Sequence, residues 1–394
     1  MRKGKLVLAQ LSEHLSKAVF AQCVTRYAGK YPTLSFSHWD QLLCMMFAQL
    51  TARASLRDIT TCLHSQRAKL YHAGFRGAIA RSTLADANEK RDCRIFEDYA
   101  LHLIGVARAL YATDKLSLEF VQTVYAIDAT TVDLCLSLFD WAPATKGRAG
   151  IKVHTLLDLR GNIPTFIHIT GSRVSDVSFL DHLHLEAGSF YVMDRAYVHF
   201  VRLMRFVHAG AFFVVRSKYN LQCRIVQVDP TNEALGILKD ERIILIGKDT
   251  QTSYPVPLRR IEFYDLEQDR YMTFLTNHFE LQASQIAVLY KHRWQVELFF
   301  KWIKQNLRIK AFVGTSANAV KTQIWTAICT YVLVAIIRKR LNIAASMHSV
   351  LQALSLTLFE TTALNELFNQ VAHDEQLHNN ESQLSLFGEI SGQL

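Results

Sequence analysis

Two aspartates stand directly after apolar, strand-like runs of the sequence. Asp128 follows Val124-Tyr-Ala-Ile, and Asp194 follows Phe190-Tyr-Val-Met. Neighbouring strands that each end in an aspartate would place two carboxylates side by side, and such a pair repels unless a cation lies between them. Oxygen-only ligands of this kind select Mg²⁺ or Mn²⁺. Each aspartate alone has a simpler interpretation, which is that it caps the turn or helix that follows it.

A third acidic residue, Glu297, lies on a predicted helix with a polar stripe. Residues 282–307 contain no Gly or Pro and predict one long helix. At about 100° per residue, its residues Tyr290, Arg293, Glu297 and Lys304 fall within an arc of about 60°, beside an apolar stripe. Packing of the apolar stripe on a sheet would let Glu297 complete a cage of three carboxylates. The alternative is an exposed helix with an ordinary Arg293–Glu297 ion pair, since these residues are four apart.

The spacing of this stripe resembles a known signature. Tyr290, two residues, Arg293, three residues, Glu297, six residues and Lys304 match the Tyr-Arg-Glu-Lys signature of DDE transposases in the fourth family of bacterial insertion sequences. The match holds at all four positions and all three gaps, so the resemblance is specific.

The two aspartate motifs are similar to those of the same family. Ile127-Asp-Ala-Thr-Thr resembles its first motif. Met193-Asp-Arg-Ala-Tyr resembles its second, in which Gly is more usual than Ala196. This departure matters if the backbone must approach another group closely at residue 196. The resemblance covers roughly residues 5–370.

The resemblance implies a fold, an activity and a cofactor. The fold is an RNase H-like α/β core with a β-strand insertion between the second Asp and the Glu. Asp128, Asp194 and Glu297 would be the catalytic residues and would hold two Mg²⁺ (or Mn²⁺) ions. The implied activity is metal-dependent cleavage at transposon ends, through a hairpin intermediate, and strand transfer into target DNA by a cut-and-paste route.

Five residues are candidates for DNA binding. In the family the signature Tyr and Arg contact phosphates near the cleaved end, which implies the same role for Tyr290 and Arg293. Lys304 shares their stripe, Lys301 lies on the same predicted helix, and Arg216 ends a run, 211–216, that is similar to a short strand of the family. The expected partners are double-stranded DNA, as terminal inverted repeats and as target, and a second copy of the chain in the active complex.

The elements around these residues predict an α/β chain in several parts. Residues 1–115 are expected to form a helical N-terminal domain that binds DNA, and 116–320 the RNase H-like catalytic domain. Short strand-like runs predict a β-rich insertion at about 217–280, which looks like a domain inserted in the catalytic fold. A helical C-terminal segment is expected at 321–372. The tail 373–394, which is polar and rich in Gln, Asn and acids, is expected to be disordered.

The N-terminal region leaves two interpretations open. Ser55-Leu-Arg-Asp and Thr83-Leu-Ala-Asp each resemble a capping box that opens a helix, and a turn with Gly74 and Gly77 lies between them. The two helices could form a helix-turn-helix that reads DNA. They could equally belong to a helical bundle with a solvated basic face.

The charge distribution favours a polyanionic partner. The formal net charge is +9. Residues 1–110 hold 16 Lys and Arg against 8 Asp and Glu, whereas residues 341–394 hold no Lys or Arg and 6 acids. The basic segments are therefore expected to face phosphates, and the acidic tail is expected to avoid them.

Cysteine spacing and hydropathy bear on the compartment. The seven cysteines include no CxxC pair, so neither a disulfide framework nor a zinc site is indicated. The apolar run 324–337 is shorter than the ~20 residues that a membrane span needs. We therefore expect a bacterial cytoplasmic protein with no membrane partner.

Two other functions compete with a transposase. Another RNase H-like nuclease, such as a junction resolvase, would share the carboxylates but not the Tyr-Arg-Glu-Lys stripe. A DNA-binding protein descended from a transposase would no longer be catalytic, and the intact carboxylates argue against it.

Overall fold

The protein, represented by a computed structural model, is a mixed α/β chain. The structure describes residues 4–27, 29, 35–114, 116, 122–134, 141, 149–306 and 312–373. The chain divides into two compact units, Met1–Tyr111 with Lys301–Leu394, and Ala112–Phe300. The division assigns residues 301–320 to the same unit as the N-terminal helices, whereas the sequence grouped them with the catalytic domain. Apart from His373, the tail that was expected to be disordered lies outside the described residues.

Helices form the N-terminal part of the first unit. They are α1 (Val7–Ser12), α2 (Lys17–Tyr27), α3 (His38–Leu50), α4 (Leu56–Ser65), α5 (Arg81–Lys90) and α6 (Arg94–Tyr111). Helix α3 begins at a complete capping box, in which Ser37 accepts from the Asp40 N–H and Asp40 accepts from the Ser37 N–H.

The predicted helix-turn-helix region is only partly as expected. Ser55 caps α4, as predicted, by accepting from the Asp58 N–H. The second predicted cap is wrong, because α5 already begins at Arg81 and Thr83 lies inside it. Residues 66–80 separate the two helices, and they contain a 3-10 turn and Gly74 at φ +98°. A helix-turn-helix needs a turn of about 3–4 residues, so the helical-bundle interpretation describes this region better.

One nine-stranded sheet organises the second unit. Its strands are β1 (Val124–Leu134), β2 (Ala149–Asp158), β3 (Ile163–Gly171), β4 (Phe190–Met193), β5 (Phe212–Arg216), β6 (Cys223–Val228), β7 (Ile237–Leu245), β8 (Leu258–Asp265) and β9 (Arg270–Thr276). The order across the sheet is β3-β2-β1-β4-β5-β9-β8-β7-β6. Strands β1 to β3 form an antiparallel meander, and the turn between β2 and β3 contains Gly161 and Asn162, both at positive φ.

The strand-rich block after β5 is not a separate inserted domain. Strand β9 pairs antiparallel with β5, from Val214 opposite Thr276 to Arg216 opposite Phe274, and β8, β7 and β6 follow in turn. The block therefore extends the sheet that carries the aspartates. Sequence patterns identified the strands, but they could not show that β9 would satisfy the backbone groups of β5.

Two further expectations about elements are wrong. Strand β1 does not end at Asp128 but continues to Leu134, because residues after Asp128 keep pairing with β2. The single helix predicted for 282–307 is two helices, α9 (Ala283–Lys291) and α10 (Trp294–Asn306), preceded in the chain by α7 (Phe200–His208) and α8 (Lys248–Ser253).

The chain then continues into α11 (Ala317–Arg340) and α12 (Met347–Thr357). Helix α11 is long and apolar enough to cross a membrane by length and composition, but 94% of its apolar window is buried inside the protein. It packs on α3 and α6, and Tyr111 donates to the carbonyl of Ala335 (3.0 Å). A buried core helix passes the same test of length and composition.

Candidate active site

Parallel pairing of β1 and β4 places the two aspartates next to each other. Ile127 lies opposite Met193, and this is the last pair of the two strands. Asp128 and Asp194 are the next residues of each chain segment. Adjacent strands are ~4.8 Å apart, so the two carboxylates leave the sheet from neighbouring positions.

Asp128 is held in a largely buried environment. One oxygen, Oδ1, accepts from the N–H of Ala129 (2.8 Å), and Oδ2 lies 3.4 Å from Nη1 of Arg293. Burial raises the pKa of Asp128 to about 6, although the Ala129 N–H and the Arg293 guanidinium oppose this shift. The carboxylates of Glu297 and Asp194 raise this pKa further. All three predicted acids therefore interact electrostatically at Asp128.

Asp194 opens a short 3-10 turn, Arg195–Tyr197. Its Oδ1 accepts from the Arg195 N–H (2.7 Å), which fixes the carboxylate at the end of β4. The simple capping interpretation is thus correct for this residue, and it leaves the second oxygen available. Ala196 is exposed and is absent from the residues with positive φ, so the described backbone at this position does not require glycine.

Glu297 is joined to Asp128 through Arg293. Nη2 of Arg293 donates to Oε1 of Glu297 (2.6 Å), while Nη1 of the same guanidinium faces Asp128. The side chains of Arg293, Asp128 and Glu297 are 15%, 23% and 33% exposed. The guanidinium is therefore a buried cation shared by two of the three acids.

The break between α9 and α10 sets the position of Arg293. The N–H groups of Arg293 and Val296 donate to the carbonyls of Tyr290 and Arg293 (3.0 and 3.1 Å), which are bonds across three residues rather than four. The chain thus winds more tightly here than in an α-helix. Arg293 Nε is buried without a hydrogen-bond partner among the described residues, so the side chain has an unused donor.

Tyr290 contacts Arg293 and interacts electrostatically with Arg216. Tyr290 is only 5% exposed, its ring packs on Phe274 (centroids 4.6 Å apart), and the Arg293 guanidinium lies 5.6 Å from its ring centre. Burial raises the pKa of Tyr290, and Arg293 and Arg216 oppose this while Asp194 reinforces it. Of the three residues in this unit that were predicted to bind DNA, Arg293 contacts Asp128 and Glu297, and Tyr290 interacts electrostatically with Asp194 and Arg216.

The two lysine candidates lie further along α10. Lys301 and Lys304 follow Glu297 by one and two helical turns, in the part of α10 that belongs to the other compact unit. Lys301 is exposed.

The carboxylates have the chemistry of a metal site but not yet its geometry. In the part of the chain that the structure describes, no three His, Cys, Asp or Glu side chains are close enough to hold one metal ion. Aspartate and glutamate oxygens are nevertheless the donors that Mg²⁺ and Mn²⁺ prefer. The raised pKa of Asp128 reflects a buried negative charge that a cation would stabilise. The donor atoms of Asp128, Asp194 and Glu297 therefore have the chemistry that such an ion prefers.

Sequence reasoning missed two polar groups beside the site. Thr155 pairs with Asp128 across the sheet, and its Oγ1 is buried without a hydrogen-bond partner in the described structure. Tyr197 was noted only as part of a motif, and its buried hydroxyl likewise lacks a partner among the described residues. The sequence indicates Tyr197 only by its position three residues after the aspartate that ends β4.

Comparison with known families identifies the region that carries this site. Residues 119–333 match the family described as transposase DDE domain, which covers every candidate site residue. Residues 3–76 match a domain of unknown function.

Named relatives agree with this match. A protein of Sinorhizobium fredii named as transposase y4zB is 33% identical over 66% of this chain and 71% of its own length. A Geobacillus stearothermophilus protein named as a transposase for insertion sequence element IS5377 is 29% identical over 60% of this chain and 63% of its own length. The piggyBac transposase synaptic complex with hairpin DNA aligns with a TM-score of 0.45 and 10% identity over 90% of this chain and 79% of that one. The chain belongs to the transposase DDE-domain family, and it is an enzyme of the DDE transposase type.

Proposed function

We propose that this transposase excises an insertion sequence by cutting DNA at its ends and joins the ends to target DNA by a cut-and-paste route. One observation supports the proposal most strongly. Asp128 and Asp194 follow paired residues of adjacent parallel strands, and Glu297 is joined to Asp128 through a single guanidinium. Clustered carboxylates can bind a cation, and a cation bound there can contact a phosphodiester.

Asp128, Asp194 and Glu297 are the residues proposed to hold two Mg²⁺ or Mn²⁺ ions. Domains of the DDE transposase type generally use divalent metal ions. When bound, such ions activate the attacking oxygen and neutralise the charge that develops on the phosphate. Asp128 is the shared ligand in this proposal, because it interacts with both other acids.

Arg293 is proposed to exchange partners when DNA binds. In the DNA-free chain its guanidinium is paired with Glu297 and Asp128. A planar guanidinium grips a phosphate as well as a carboxylate, so a backbone phosphate could take its place beside the acids. Tyr290 and Arg216, which lie near Arg293, would position the same strand. Lys301 and Lys304 would bind phosphates further along it.

The reaction would proceed in two kinds of step. A water molecule attacks the phosphodiester at the transposon end, its oxygen forms the new bond to phosphorus, and the 3′ oxygen leaves as a hydroxyl. That 3′-OH then attacks the opposite strand to form a hairpin and displaces a 3′ oxygen of the flanking DNA. A second water opens the hairpin and releases the 3′-OH, which then attacks a phosphodiester of target DNA and displaces a 3′ oxygen there. Each transfer forms one P–O bond and breaks one, so no external energy source is required.

The finer assignments are also proposals. The second unit would be an RNase H-like catalytic domain, and the chain would belong to the Tyr-Arg-Glu-Lys group within the DDE transposases. The N-terminal helices would contact DNA, two copies would act together on paired ends, and the enzyme would work in the bacterial cytoplasm. The net charge of +9 supports a DNA partner.

Single-turnover cleavage of end DNA tests this function. The substrate is the DNA that flanks the gene and contains its terminal repeats, with a scrambled duplex as competitor. Asp128→Asn should reduce Mg²⁺-dependent cleavage by at least about a thousandfold, since it removes a proposed ligand of the ions that would neutralise the developing phosphate charge, and should leave DNA affinity within about threefold. The matched control is Asp133→Asn, an exposed residue of the same strand, which should cleave normally.

Cleavage by Asp128→Asn at the wild-type rate would refute the assignment of this residue. End binding by the wild-type protein without any cleavage would instead favour the rival function, a DNA-binding protein that is no longer catalytic.

A further inference from the structure

Tyr197 is the last residue of the 3-10 turn Arg195–Tyr197, which Asp194 caps at its N-terminus. Its N–H donates to the Asp194 carbonyl (3.0 Å). The ring packs in one buried cluster with Ile127 and Met193, the residues that precede the two aspartates. Tyr197 is thus part of the core beside the ends of the paired segments of β1 and β4.

The Tyr197 hydroxyl is buried and has no hydrogen-bond partner among the described residues, in a side chain that is 1% exposed. A buried hydroxyl without a partner destabilises the fold. A hydroxyl that remains at such a position therefore suggests a function other than packing.

Three carboxylates interact electrostatically with this hydroxyl. After burial, the carboxylates of Asp128, Asp176 and Asp194 contribute most to raising the pKa of Tyr197 well above its ordinary value, and Arg293 opposes them. The hydroxyl therefore stays protonated and is a donor among acids. Asp176 forms an ion pair with Lys152 (2.8 Å), and Ile127, the residue before Asp128, packs in the same buried cluster as Tyr197. Asp128 depends on Arg293, which is 3.4 Å away, for its second oxygen.

We propose that Tyr197 is a positioning residue of the catalytic site, whose hydroxyl donates a hydrogen bond to the carboxylate of Asp128 once Arg293 turns to DNA. This inference rests on the proposed function, because it assumes that Arg293 leaves Asp128. The new hydrogen bond orients Asp128 toward a divalent ion and replaces the donor that the carboxylate loses.

The chain contains a close control for the test. Tyr254 belongs to the same buried cluster, is fully buried, and also has a hydroxyl without a hydrogen-bond partner in the described structure. Burial alone raises the pKa of Tyr254, with no contribution from any acid. Tyr197→Phe and Tyr254→Phe therefore remove the same atom from similar packing, but only the first removes it from beside the carboxylates.

The experiment measures the melting temperature of the full chain bound to end DNA as a function of Mn²⁺ concentration. Tyr197→Phe should raise the Mn²⁺ midpoint of thermal stabilisation by about tenfold, and Tyr254→Phe should leave it unchanged. Single-turnover cleavage at limiting Mg²⁺ should fall in parallel for Tyr197→Phe and recover at high Mg²⁺.

An unchanged Mn²⁺ midpoint in Tyr197→Phe, with or without a lower melting temperature, would assign the hydroxyl to packing beside Asp176 and overturn the inference. Equal shifts in both tyrosine variants would overturn it too. If wild-type protein on end DNA showed neither Mn²⁺ stabilisation nor cleavage, the proposed function itself would fail, and the inference with it.

Discussion

At the scale of single residues, the site depends on how three acids and one arginine share charge. Asp128 is buried enough for its pKa to rise to about 6, despite the Arg293 guanidinium beside it. The same guanidinium lies closer to Glu297, at 2.6 Å, than to Asp128. The Arg293 guanidinium is therefore an internal cation that opposes the raised pKa of Asp128 without cancelling the effect of burial.

The raised pKa of Asp128 predicts how stability changes with pH. An acid whose pKa is higher in the folded than in the unfolded chain binds more protons when folded, so its contribution to stability falls as pH rises. Between about pH 4 and pH 6, metal-free wild-type protein should lose up to about 3 kcal/mol relative to Asp128→Asn. Urea unfolding at a series of pH values, with a chelator present, measures this difference.

Asp133→Asn provides the reference for that series, since Asp133 is exposed on the same strand. Its difference from wild type should not vary over this pH range. A wild-type protein that became more stable relative to Asp128→Asn as pH rose would contradict the account, because the Arg293 pair would then dominate over burial.

The sequence predicted which acids belong to the candidate site, but it did not predict their burial or their hydrogen-bond partners. Asp128, Asp194 and Glu297 stood out by their positions after apolar runs and on a polar stripe. The unpartnered hydroxyls of Tyr197 and Thr155 did not, because burial without a partner results from packing between distant segments. The same holds for the contact of Arg293 with Asp128, which joins residues from two different elements.

At the scale of elements, two departures from the sequence-based expectation position the site. Strand β1 runs past Asp128, so that residue is anchored on both sides by pairing with β2. The break between α9 and α10 places Arg293 in a tight turn rather than in the middle of a helix. Periodicity favoured one long helix because residues 282–307 contain no Gly or Pro, and hydrogen bonds across three residues leave no mark on that pattern.

The two roles open to Arg293 can be separated by Arg293→Lys. Lysine keeps the charge but cannot reach both carboxylates or grip a phosphate with a planar fork. We expect a stability loss of about 1–2 kcal/mol from the weakened charge-assisted hydrogen bonds and at least a tenfold loss in single-turnover cleavage. Melting temperature and cleavage are measured on the same preparation.

Arg202→Lys is the control for an ordinary ion pair. Arg202 binds the half-exposed Asp181 through two nitrogens, at 2.8 and 2.7 Å, and should change stability by no more than about 1 kcal/mol without any effect on cleavage. Should Arg293→Lys lose stability but cleave normally, Arg293 would be a structural partner of Glu297 and not a DNA contact.

At the scale of the whole molecule, charge is unevenly distributed along the chain. Basic residues are concentrated outside the C-terminal segment 341–394, which carries only acids.

The strand-rich block extends the sheet that carries the aspartates. Sequence analysis found most of these strands, yet predicted a separate inserted domain. The order of strands in a sheet depends on which segments, distant in sequence, pair with each other. Strands β5 and β9 are such a pair.

We propose that Asp128, Asp194 and Glu297 hold divalent metal ions when the enzyme engages DNA. Anomalous scattering from a crystal of the full chain with end DNA and Mn²⁺ tests it most directly. The account predicts Mn²⁺ peaks at about 2.0–2.3 Å from oxygens of all three carboxylates, with the Arg293 guanidinium withdrawn from Asp128 and bound to a phosphate. A DNA-bound structure in which Arg293 still bridges Asp128 and Glu297, with no Mn²⁺ peak beside them, would contradict it.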